Sequence, residues 1–225
     1  MQKDIRNFER DDIGLEIFTK LEALKGMLLS EGIVITAFRD DQQFQKLNTL
    51  SYIDQKRIAK IFLPYVDTVI AAKASNLDIN DNKVLTKVFL ELNNWVLNDD
   101  IIDKLAADDV VEIYNHNIKT VFRSINYFKS CSYSLLEVFS NDFWQLYEKD
   151  TKIIQGLSNK RGMLLRGEIQ DTIKLEVPNH TIKEKFSTEL RTYMVEQKYM
   201  SPVRNESGQP IAVLKSFKIV KRLEN

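Results

Sequence analysis

Apolar residues recur at helical spacing through the first hundred positions. Ile17, Leu21, Leu24 and Leu28 fall three and four apart, and Gly32 follows as a stop. Ile58, Ile61, Phe62, Tyr65, Val66, Val69 and Ile70 make a wide stripe on one long helix. Pro64 stands inside that stripe, which predicts a kink or the start of a new helix. Beyond the polar, turn-like stretch Asn76 to Asn82, a third stripe runs through Val84, Leu85, Val88, Phe89, Leu92 and Val96, with Trp95 beside it. One amphipathic helix cannot bury its own face. The stripes therefore predict a small bundle or a helical cap on the next domain, part of whose surface could instead form a dimer interface.

The pattern changes after Leu105. Val110, Val111, Ile113 and Tyr114 form a β-prone run, His116-Asn117 is a turn signal, and Ile118 to Phe122 is a second run, which together predict a hairpin. Near the other end, Lys198 to Val203 and Ile211 to Val220 flank Asn205-Glu206-Ser207-Gly208. Gly208 can take positive φ without steric cost, so this too reads as a hairpin. Between the hairpins lie short helical segments and a strand candidate at Thr172 to Val177, with Phe186 to Met194 as the alternative central strand. The plan is α+β: a helical region over residues 1–105, then an antiparallel sheet with flanking helices over residues 106–225. On this plan Phe122, Trp144 and Val213 are expected in one core, and Trp144→Ala is expected to cost ~3–5 kcal/mol.

The order of these elements resembles a PAS domain. Val110-Val111-Glu112-Ile113-Tyr114, His116-Asn117-Ile118-Lys119 and Val121-Phe122 are similar to the family's opening strand pair. Tyr133-Ser134 with the following Leu135-Leu136-Glu137-Val138 is similar to its helix entry, and Phe143 to Asp150 to its apolar pair and acidic helix start. Ser201 to Leu214 resembles its last hairpin, and Phe217 to Arg222 its closing strand. The resemblance covers Asp108 to Leu223, about half of the chain. Ser132 stands where the family usually has glycine. Arg166 to Lys198 is longer than usual, which implies an insertion.

The resemblance implies one antiparallel sheet folded against short helices, with a space between them that holds a small ligand in many members and is filled core in others. Phe122, Tyr127, Phe128, Phe139, Phe143, Trp144 and Tyr147 are the aromatic candidates for lining it. A photochemical flavin site needs an Asn-Cys-Arg-Phe run, whereas Cys131 lies in Ser130-Cys131-Ser132, so Cys131 reads as a small buried hydrophobe. A haem site needs a histidine on the helix from Thr151 to Leu165, which has none. His116 and His180 read as surface loop residues, and no metal site is expected. The cofactor stays unknown.

Composition narrows the function further. Lys plus Arg and Asp plus Glu both number 32, so no net field draws the chain to nucleic acid or an anionic membrane. The run Lys215, Lys218, Lys221, Arg222 reads as a solvated strand face. A single cysteine rules out an internal disulfide and suits a reducing compartment. Met1 to Asp12 has no apolar run of the kind a signal peptide needs, and no stretch reaches membrane-spanning length. Dinucleotide, phosphate-loop, GxSxG, HExxH and kinase signatures are absent, and the adjacent carboxylates Asp40-Asp41, Asp99-Asp100 and Asp108-Asp109 suit helix starts. The reading is a cytoplasmic, non-enzymatic sensory or regulatory protein that binds a small ligand or a protein partner, with a homodimer as one form of partnership. A nucleic-acid-linked transcription or replication regulator is the alternative. It would read with the helix carrying Lys56, Arg57 and Lys60, although a reader normally shows a denser basic stripe. An enzyme with a site assembled from scattered residues is the remaining class.

Overall fold

The computed structural model describes residues 3–187 and 189–223. Along the chain come α1 (Lys3–Ser30), α2 (Asp41–Thr49), α3 (Tyr52–Ala74), α4 (Asn82–Leu92), β1 (Trp95–Val96) and α5 (Asp99–Lys104). The opening hairpin, β2 (Asp109–Asn115) and β3 (Thr120–Arg123), leads into α6 (Ile125–Ser130), α7 (Leu135–Ser140), α8 (Phe143–Leu146), β4 (Tyr147–Lys149) and α9 (Thr151–Leu165). β5 (Ile173–Lys174), β6 (His180–Glu184), β7 (Thr192–Asn205) and β8 (Pro210–Leu223) complete it.

Local chemistry sets the helix boundaries. The Asp40, Ser51, Asp81 and Asp150 side chains accept backbone N–H groups at the starts of α2, α3, α4 and α9, satisfying donors that a helix leaves orphaned. Ser134 and Glu137 form a reciprocal capping box on α7. α3 continues through Pro64 as one helix, because the apolar stripe on both sides of the proline is buried: Ile58, Phe62, Tyr65, Val66 and Val69 all face inward. The Thr68 hydroxyl donates to the Pro64 carbonyl at 2.8 Å.

Among the described residues the strands form one antiparallel sheet in the order β3-β2-β8-β7-β6-β4, with β1 and β5 also paired to β7. The opening and closing hairpins therefore share a layer: Ile113 pairs with Leu214 and Val111 with Ser216. Gly208 has φ +79°, as its turn requires. The far edge of β7 is covered in succession by β6, β5 and β1, the last bringing Trp95 opposite Asn205. This corrects the central-strand expectation. Thr172 to Val177 supplies only the two-residue β5, and the longer strand is β6, which begins at His180.

Side chains alternate across the sheet, and the alternation divides the interior. Ile113 and its partners Phe122 and Leu214 belong to a buried cluster running from Ile17 to Phe217. There the Phe122 ring meets those of Tyr65 on α3 and Phe89 on α4, at 6.0 and 4.9 Å between centroids. Val213, one residue from Leu214, points the other way, into a separate cluster with Leu157, Leu164, Leu175 and Met200 beneath α9. Phe122 and Val213 are both buried but do not share a core. Trp144 is in neither, with 43% of its surface exposed. The four-residue α8 turns Phe143 and Leu146 inward, which leaves Trp144 outside. The helical stripes thus cover one sheet face as a cap. Backbone bonds from Leu135 and Leu136 to the carbonyls of Thr36 and Ala37, at 2.9 and 3.0 Å, tie the cap to α7.

Two substitutions separate these environments. Phe122→Ala is expected to lower the unfolding free energy by ~3–5 kcal/mol, and Trp144→Ala by less than about 1 kcal/mol. Urea denaturation followed by circular dichroism checks both.

Candidate functional site

On the sheet face turned away from the helical cap, α8, β4 and α9 arch over the strands and leave a cavity of ≈ 290 Å³. Each wall follows from a local period. β4 presents Tyr147 and Lys149, and β8 presents Val213 and Lys215, each pair two residues apart on one side of its strand. α9 presents Ile154, Leu157, Ser158 and Arg161, at i, i+3, i+4 and i+7. Met200 of β7, Tyr114 of β2 and the Phe143 and Trp144 rings close the rest, with Ile118 at the β2–β3 turn. Ile118 holds φ +66°, a left-handed conformation that β-branched residues rarely adopt, so the strained residue of this turn lies against the cavity.

Of the seven aromatic candidates, Phe143, Trp144 and Tyr147 line this space. Tyr127 stands behind it, its ring 6.4 Å from that of Tyr147 and its hydroxyl 3.2 Å from the Tyr147 hydroxyl. Phe122, Phe128 and Phe139 turn away and pack around Tyr65 of the helical cap. Cys131 is buried, and burial pushes its thiol up to about 12. Ser132, in place of the glycine, donates its backbone N–H to Glu184 at 2.8 Å. His116 lies in an exposed turn. His180 does not: it is buried on β6, because the strand's alternation turns it inward with Ile182 and Glu184. Its pKa is lowered, chiefly by burial, and the positive charges of Lys149 and Lys215 act in the same direction. On α3, Arg57 is paired with Asp54 at 3.2 Å, and Lys56 lies over the Tyr52 ring.

The charged residues of the cavity went unread in the sequence. Lys215 is only 5% exposed, so the basic run is not wholly a solvated face. Burial lowers its pKa to about 8, against the pull of Glu112 and with help from Arg161. Burial also holds Lys149 well below the usual lysine range and lowers Arg161. The Lys149 ammonium lies 3.8 Å from the Phe143 ring centroid, and that of Lys215 5.7 Å from it. On the same sheet face, Glu112 is engaged already. Arg123 donates to it from Nε at 3.3 Å, and the Tyr114 hydroxyl donates to its other oxygen. The signal that could have found the site was a cation at a position where the period calls for an apolar residue: Lys215 between Val213 and Phe217, and Arg161 on the inner stripe of α9. Among the described residues, no cluster of three or more His, Cys, Asp or Glu could hold a metal ion, and no helix is long and apolar enough to cross a membrane.

No protein-family model matches the chain, and no curated protein matches it by sequence. Among solved structures it is similar to the PAS domain of the fruit-fly ELK potassium channel, with 17% identity over 54% of this chain and 95% of that one and a TM-score of 0.36. It is similar to a sensory box sensor histidine kinase from Vibrio cholerae, with 15% identity over 55% of this chain and 89% of that one and a TM-score of 0.34. An RNA-binding Light-Oxygen-Voltage receptor is similar at 13% identity over 76% of this chain and 60% of that one, with a TM-score of 0.33.

A buried lysine with a lowered pKa weakens the fold while it stays charged. Between about pH 8 and 10.5 the unfolded chain holds more protons at this position than the folded one, so Lys215 makes stability rise with pH across that window. Lys215→Met is therefore expected to stabilise the protein at pH 7, by at most about 3 kcal/mol, with the gain shrinking toward pH 10. Urea denaturation of both proteins at pH 7 and pH 9.5 measures the difference.

Proposed function

We propose that this chain is a non-enzymatic sensory or regulatory protein of PAS type. Its sheet-and-helix half binds a small ligand in the cavity under α9, and the helical cap passes the change to a protein partner or a second copy. The observation that carries this reading is the alternation along β2 and β8. Val213 and Lys215 line the cavity, while Leu214 between them belongs to the cluster shared with the cap, and Tyr114, beside Ile113, both lines the cavity and belongs to that cluster. A ligand that shifts or stiffens this strand pair is separated from the helices by the thickness of one sheet. Such a ligand can drive a switch only if it binds two arrangements of the cap with different affinity.

The walls support a ligand site more than a filled core. Ile118, Phe143, Ile154, Leu157, Met200 and Val213 supply apolar surface, and Ser158, Tyr114 and the cationic groups supply polar tips, the usual make-up of a small-molecule pocket. The PAS assignment is supported by the shared layer of opening and closing hairpins, with short helices between them. The single buried thiol of Cys131 suits the cytoplasmic setting we assign to the protein.

A fragment screen by two-dimensional NMR tests the reading. Binders are expected to shift the amides of Val213 and Lys215 and, through the sheet, those of Phe62, Tyr65 and Phe89. Ser158→Trp, which fills the cavity from α9, is expected to abolish these shifts while leaving the remaining spectrum folded. Binders that map elsewhere, or shifts that survive Ser158→Trp, would remove the cavity from the function.

A further inference from the structure

The cavity on which the proposed function rests has a charge it does not balance. Lys149 comes from β4, Arg161 from α9 and Lys215 from β8, so three separate elements each bring a cation to one space. Among the described residues none of the three makes a hydrogen bond or an ion pair with a protein group. Lys149 has the Phe143 ring beneath it, which is a weak substitute for a counter-ion. Glu112 is occupied by Arg123 and Tyr114. Lys215, almost wholly buried, lines the cavity with only the Phe217 and Phe143 rings, 5.0 and 5.7 Å from its ammonium, in place of a counter-ion.

A buried charge without a partner is unfavourable, and such charges are ordinarily paired or metal-bound. Converging cations repel one another as well, so their arrangement acquires a use when an anion joins them. Apart from the polar tips of Ser158 and Tyr114, the remaining walls are mostly carbon, with Leu157, Met200 and Val213 buried at the base and Ile118, Phe143 and Ile154 beside them. They would leave a compact, fully hydrated anion such as inorganic phosphate poorly matched over most of its surface, whereas an apolar body fits them. We infer that the cavity holds an amphipathic organic acid. Its carboxylate sits among Lys149, Arg161 and Lys215, and its hydrocarbon body lies against the base formed by Leu157, Met200 and Val213. Arg161 can meet a carboxylate with two parallel N–H groups, and the lysines add point charges that tolerate variation in the head.

Decanoate, decanol and inorganic phosphate, each titrated into the full chain by calorimetry, separate charge from apolar fit. Decanoate is expected to bind with one-to-one stoichiometry and at least tenfold more tightly than decanol, and saturating phosphate is expected to leave its affinity unchanged within threefold. Lys215→Met and, separately, Arg161→Met should each weaken decanoate at least tenfold while leaving decanol within threefold. Circular dichroism confirms that each variant is folded, and the second variant keeps the test decisive if the first repacks. Equal affinity for decanoate and decanol would overturn the anion assignment while leaving the ligand cavity intact. Displacement of decanoate by phosphate would replace the amphipathic acid with a compact anion. Failure of decanoate to bind would overturn the inference whatever the fragment screen shows, since that screen reads the cavity independently.

Discussion

The pairing of β2 with β8 organises everything else. It joins the first strand of the sheet region to the last, in the register that sets Ile113 opposite Leu214 and Glu112 opposite Lys215. A slip of one residue would send each side chain to the opposite face. Ile113 would then leave the cluster it shares with Phe122, and Lys215 would be driven into the hydrocarbon beneath the helical cap. The register is thus the point at which the core and the cavity are specified together.

Arg123 reinforces that register from the cavity side. It is 1% exposed, donates to Glu112 and to the Val138 carbonyl at 2.7 Å, and stands 4.7 Å from the Tyr127 ring centroid. A buried ion pair contributes little net stability, because desolvation offsets much of the attraction. Its geometry is exacting, however. The bonds from Nε to Glu112 and from Nη1 to Val138 fix β3 against β2 and α7, although Nη2 is left without a hydrogen-bond partner, and the same arrangement occupies Glu112.

The fold was legible where a period was long and unbroken. The stripes through Ile17 to Leu28 and Ile58 to Ile70 became α1 and α3, and both terminal hairpins formed as read; the third stripe, read as reaching Val96, became α4 only as far as Leu92, and Trp95 and Val96 form β1 instead. Short elements were less legible. α8 has four residues, too few to show which side faces inward, so Trp144 was assigned to a core it does not enter. β6 carries Ile182 as its one strongly apolar residue, and its identity as a strand depends on β7 beside it rather than on its own composition. Three of the cavity's aromatics were found, because PAS-like spacing pointed to them. Its cations were not, because a lysine in a basic run reads as solvated until the strand's neighbours show which way it points.

The two-residue β1 has a consequence for how the protein forms. Its partners Arg204 and Asn205 lie at the end of β7, which is also aligned by β8. During synthesis the helices of the cap emerge before the sheet, yet Trp95 and Val96 have no strand to join until β7 has left the ribosome. The apolar face of the cap must wait uncovered for a similar interval, since the pairing that completes its sheet needs β8. Local helix formation is fast and long-range strand closure slow, so the nascent chain spends its riskiest period as a finished cap over an unfinished floor, when chaperone protection would matter most.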